Sequence, residues 1–100
     1  MISAEVLEPD IPTAVDVQVT EDTLSVDLRD GRSIQVPLAW YPRLVHATPE
    51  ECNKWRLIGQ GRGIHWDDLD EDISLVSLLL GKGSGESQVS FEAWLRKRRG

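Results

Sequence analysis

The chain has 100 residues, a net charge of −6, 40% apolar and 28% charged residues, and one cysteine. That length sets a single domain, and the balance is that of an ordinary globular protein. The negative charge argues against a nucleic-acid backbone as the main partner, and a lone cysteine excludes an internal disulfide and fits a reduced, cytoplasmic setting.

Residues 1–12 form a lead-in broken by Pro9 and Pro12, with an edge strand expected over 2–7. This opening has no basic stretch and no long apolar run, so it does not read as a secretory signal. Val15, Val17 and Val19 then alternate with polar residues, as do Leu24, Val26 and Leu28, and after them Ile34, Val36 and Leu38. Period-two alternation with β-branched residues predicts three half-buried strands. Asp30 and Gly31 between the second and third predict a tight two-residue hairpin turn, because Gly supplies the positive φ that a type I′ turn needs. Pro37 lacks an N–H and belongs at a strand end or edge.

Pro42 opens a helical turn over 42–45. Thr48, Pro49 and Glu51 make a capping-box start for a helix expected to run from 49 to about 57, with Cys52 and Trp55 on its inner face. Gly59, Gly61 and Gly63 mark a turn, and 64–66 fits a fourth strand. Residues 67–72 read as an acidic turn. Ser74 caps a helix over 75–80 that stops at Gly81. The stretch 82–86 reads as a flexible Gly/Ser linker, and Ser90 as the cap of a last short helix over 91–98, with Phe91, Trp94 and Leu95 as its apolar stripe. The basic end of that helix, Arg96 to Arg99, suits the negative end of the helix dipole. The longest apolar run of this half, Leu78 to Leu80, is far too short to span a bilayer.

No motif commits the chain to a reaction. Asp68, Asp70 and Asp72 imitate the start of a calcium loop, but Ile73 stands where that loop needs Gly and Leu79 where it needs Glu. The 59–63 glycines lack the Lys-Ser/Thr of a phosphate loop and the Gly spacing of a dinucleotide site. Cys52, His46 and His65 are too few and too scattered for structural zinc. Cys52 reads as a buried, inert thiol. No metal, cofactor or catalytic residue is assigned. The four tryptophans are many for this length; such rings serve either as core or as binding hot spots.

Read together, the tracts at Asp30 to Arg32, Pro37 to Leu44, Ala47 to Glu51, Trp55, Gly63 to Trp66, Asp70 to Ser74 and Leu78 to Gly81 are similar to an uncharacterised bacterial family, domain of unknown function 2442. The resemblance covers roughly residues 13–81. It implies a small α+β domain, a β-meander packed on helices, with no established activity. It also implies that relatives can be joined to a helix-turn-helix segment, or encoded beside a small partner in pairs like toxin–antitoxin modules. The single short helix expected after 82 does not make such a DNA-binding extension.

The expected architecture is therefore α+β: an antiparallel meander of three to four strands against two or three short helices, with one domain over 1–81 and a linker and helix over 82–100. The expected role is a non-enzymatic domain that binds a protein, by charge a basic one, as in the antitoxin half of a pair. Trp40, Tyr41, Arg43 and Trp66 are expected to form the contact surface, with Asp67, Asp68 and Asp70 as its charged rim. Two alternatives stand beside it: a small-ligand or enzyme site joining the 59–63 turn to Arg43 and His65, and a homo-oligomer, such as a dimer paired through a meander edge.

Overall fold

The structure, a computed structural model, describes residues 11–99. The edge strand expected over 2–7 lies outside these residues. The described chain is α+β: six antiparallel strands in two three-stranded sheets, with four helices.

The first sheet is the expected meander, β1 (Ala14–Val19), β2 (Thr23–Leu28) and β3 (Ser33–Pro37), in that spatial order. Leu24, Val26 and Leu28 on the central strand are all buried, as strict alternation requires. In β1 the alternation is broken. A register shift between Ala14 and Asp16 turns Val15 outward to 45% exposure, so Ala14 and Val17 carry the buried face. The β2–β3 turn also differs from expectation. Gly31 takes φ +96°, but Asp30 does not have positive φ. The Gly31 amide donates to Leu28 O at 3.0 Å, and Leu28 N donates to Arg32 O at 2.8 Å. This is a turn followed by a glycine bulge, and the Asp30 carboxylate fixes it by accepting from Arg32 N at 3.0 Å. Pro37 ends β3 at the sheet edge, where its missing N–H leaves no ladder bond unmade.

The second sheet replaces the single fourth strand that was expected. It comprises β4 (Trp55–Ile58), β5 (Gly63–Trp66) and β6 (Glu71–Ser74), again a meander. Two corrections produce it. The helix beginning at Pro49, α2, ends at Cys52, so Trp55 lies on a strand and pairs with Trp66 rather than on a helix face. The acidic turn is in fact a 3-10 turn, Asp67–Leu69, followed directly by β6, whose Glu71 and Ile73 point inward and Asp72 and Ser74 outward. The turn at Gly59–Gly61 packs on the start of β1: a Cβ at Gly61 would lie 2.9 Å from Ala14 O. That close backbone approach, with φ +89°, explains the glycine.

The two sheets and the helices close over one core in which Leu24, Val26, Ile64, Trp66, Leu69 and Leu75 have no exposed surface. α1 (Pro42–Val45) follows a 3-10 turn at Leu38–Trp40, with Pro42 in its first turn as expected. The capping box of α2 is present: Glu51 N donates to Thr48 Oγ1 at 3.1 Å and Thr48 N to Glu51 Oε1 at 2.9 Å. α3 (Leu75–Leu79) starts on Ser74, whose hydroxyl accepts from Ser77 N at 3.1 Å.

The last helix, α4 (Gln88–Arg99), begins three residues earlier than expected. Ser87, not Ser90, satisfies its first turn, accepting from Ser90 N at 3.1 Å. The stretch before it, read as a linker, is anchored: Ser84 N donates to Trp40 O at 2.9 Å and the Tyr41 hydroxyl to Lys82 O at 3.2 Å. Phe91 and Trp94 turn α4 towards α1, with the Phe91 ring 5.3 Å from that of His46. Arg98 ties its end to Glu51 of α2 at 2.7 Å. Among the described residues no helix is long and apolar enough to cross a membrane.

Candidate functional site

Arg43 is where the structure converges. Its side chain is 13% exposed, and each of its nitrogens is engaged. Nη1 donates to the carbonyls of Leu69 at 2.9 Å and Asp70 at 3.1 Å. Nε donates to Glu86 Oε1 at 2.9 Å, and Nη2 pairs with the other oxygen of the same carboxylate. The guanidinium also lies 5.1 Å from the centre of the Trp94 ring, whose other cationic neighbour is Arg98 at 4.7 Å. One side chain of α1 thus binds the loop into β6, the 82–87 segment and α4. Bidentate geometry is what a guanidinium provides and an ammonium does not. Arg43 holds the Glu86 carboxyl below the ordinary carboxylate range, assisted by the Ser90 hydroxyl at 2.8 Å.

Beside Arg43 opens a cleft of about 430 Å³, lined chiefly by polar groups, among them Tyr41, Glu71, Ser74, Ser77, Ser84 and Glu86. Among the described residues Glu71 is the buried charged one, at 8% exposure. Its Oε1 is 4.0 Å from Arg43 Nε, too far for a hydrogen bond. Burial pushes its carboxyl up to about 7; Arg43 pulls the other way, while Glu86, Asp72 and Asp70 add to the rise.

The residues expected to form one aromatic surface are divided by the fold. Arg43, Tyr41 and Asp70 do meet at the cleft. Tyr41 is buried, however, and Trp66 has no exposed surface; its indole N–H donates to Cys52 O at 3.0 Å. A ring enclosed in this way cannot touch a partner while the domain is folded, so Trp66 is core. Trp40 is half-buried beneath the 82–87 segment. Asp67 and Asp68 are exposed but paired elsewhere. Asp67 meets Arg56 at 3.2 Å and His65 at 2.9 Å, and Asp68 meets Lys54 at 3.6 Å.

The groups of the alternative ligand site are likewise separated. Gln60 of the glycine turn lines a different depression, with Arg29 and Arg32, and Arg43 is not part of it. His65 reaches the cleft only through Asp72, which its Nδ1 contacts. Among the described residues no three His, Cys, Asp or Glu side chains converge as a metal-binding group. Cys52 is buried, its thiol donates to Leu44 O at 3.6 Å, and burial raises its pKa.

Glu71, Glu86, Ser84 and Trp94 were not among the expected site residues. For Glu71 a signal existed: with Ile73 it keeps the period-two spacing of a strand, hidden in a run of acids that reads as a solvated turn. Glu86 and Ser84 carry no such signal, since their role depends on where the 82–87 segment docks.

A family described as "Protein of unknown function (DUF2442)" matches residues 14–84, and the chain belongs to it. No curated protein matches the chain. Among solved structures it is similar to a protein of unknown function from Rhodospirillum rubrum, with 27% identity and a TM-score of 0.68 over 79% of this chain and 98% of the other. It is also similar to an uncharacterised protein from Chromobacterium violaceum, with 26% identity and a TM-score of 0.67 over 89% of this chain and 83% of the other.

Proposed function

We infer that this member of the DUF2442 family is a non-enzymatic domain that binds another protein. The observation that carries the reading is the outer face of α3. Leu75 and Leu78 of this helix enter the core, yet Val76, Leu79 and Leu80, at the i, i+3, i+4 spacing of one helical stripe, remain 44%, 43% and 64% exposed. Large apolar side chains grouped on one face are the mark of an interaction surface. The contact surface is thereby moved from the Trp40–Trp66 tract to α3.

The partner of this reading is a small basic protein in the cytoplasm, as in the antitoxin half of a two-protein module. The net charge of −6 supports that choice through charge complementarity. A non-enzymatic role is supported by the state of the reactive groups: the Cys52 thiol is buried and His65 lies between two carboxylates. Affinity capture of the tagged chain from its native cytoplasm is expected to bring down one small basic protein in near-equal amount, released by high salt. Light scattering over a range of concentrations is expected to show a monomer. A concentration-dependent dimer with nothing co-purifying would replace this reading with the homo-oligomer.

A further inference from the structure

Independently of the α3 face, the cleft beside Arg43 has a chemistry of its own. Glu71 is 8% exposed, opens onto the cleft, and receives no hydrogen bond among the described residues. Arg43 cannot supply one without leaving Glu86 or the carbonyls of Leu69 and Asp70. Its carboxyl, 11% exposed, meets solvent only at the cleft, so a donor entering there would take the place of water on a largely desolvated carboxylate.

The rest of the lining is rich in acceptors, and the hydroxyls of Ser77 and Ser84 are its uncommitted, uncharged donors. Asp70, Asp72 and Glu86 add three carboxylates against the one guanidinium. The hydroxyl of Tyr41 donates to Lys82 O, that of Ser74 to Ser77, and that of Ser90 to Glu86. What the cleft lacks is a cation carrying N–H groups, and its volume of about 430 Å³ leaves room for one with a short alkyl stem.

We propose that this cleft binds a primary alkylammonium group, with Glu71 as the carboxylate that accepts from it. A compact ammonium has three donors pointing in different directions. That suits one buried carboxylate surrounded by hydroxyl and carboxylate oxygens better than the planar fork of a second guanidinium. The group comes from a free small amine or from a lysine side chain of a peptide, and both present the same cation.

The test is a heteronuclear NMR titration of the full chain at about pH 8, where Glu71 is ionised. The probes are n-butylamine, an N-acetyl-Gly-Lys-Gly amide, and n-butanol as the neutral isostere. Saturable shifts centred on Glu71, Ser74, Ser77 and Ser84 are expected with one or both amines and not with butanol. Shifts with butylamine alone assign a free amine; shifts with the peptide alone assign a lysine side chain. Glu71→Gln is expected to weaken binding at least about tenfold.

If that variant fails to fold, the pH series of the unaltered chain decides. Arg43, Tyr41, Asp70, Asp72 and Glu86 all face Glu71, and amine affinity is expected to rise as pH passes through about 7. Shifts confined to Asp67 and Asp68, equal binding by butanol, unchanged binding by folded Glu71→Gln, or no saturable shift would each overturn the proposal.

Discussion

Two glutamates of this domain are driven in opposite directions by their surroundings. Glu51 accepts hydrogen bonds from Arg98 and Thr48, and Arg98 above all holds its carboxyl down to about 2. That pair stabilises the fold above the unfolded pKa and is lost as pH falls towards 2. Glu71 is raised by burial from 4.5 to about 7. The folded state therefore binds its proton more tightly than the unfolded one. The penalty is absent below about pH 4.5, grows up to about pH 7, and is constant above it. The shift corresponds to an upper bound on the order of 3 kcal/mol. Glu71→Gln is accordingly expected to stabilise the protein, by more at pH 8 than at pH 5, in thermal unfolding; equal melting temperatures of variant and parent at both pH values would contradict this origin of the shift. Trp66 has the opposite character, since it fills the core and its N–H satisfies Cys52 O. Trp66→Phe is expected to lower stability by about 2 kcal/mol, read by denaturant titration, through lost volume and an unpaired carbonyl.

At the level of elements, Arg43 joins α1 to the start of β6, the 82–87 segment and α4. Arg43→Ala is expected to release that segment and α4 while both sheets persist. Hydrogen exchange should then accelerate over 82–99 by about tenfold or more and remain slow in β2 and β5. Uniform acceleration would show that α4 belongs to the global core. These elements differ in how far the sequence declares them. Leu24, Val26 and Leu28 alternate cleanly, and the Thr48 and Ser74 caps rest on residues three positions apart, so both kinds are legible locally. β4 is not. Trp55 and Arg56 continue the helical spacing begun at Cys52, and only pairing with β5, across the turn, makes them part of a strand. β6 is hidden by its charge, because Glu71 is inward through the register with Trp66 that the 3-10 turn imposes. The site follows the same division. Arg43 is recognisable as a lone cation beside aromatics, but Glu86 reaches it across a separation that sequence spacing does not report.

For the whole molecule, two small meanders share one core, so neither sheet has an independent apolar interior. α3 lies where three environments meet. Leu75 and Leu78 enter that core, Ser74 and Ser77 line the cleft, and Val76, Leu79 and Leu80 face outward. The functional account places recognition of a protein on that outward face. Because these side chains lie outside the buried core cluster, their replacement by charge is expected to leave the fold intact, at a cost of about 1 kcal/mol or less. The measurement that tests this most directly is quantitative affinity capture with the parent chain and a Val76→Asp, Leu80→Asp double variant side by side, each first shown to be folded by its NMR spectrum. The account predicts a stoichiometric small basic partner on the parent and its loss from the variant. Equal recovery of that partner on both chains would contradict it.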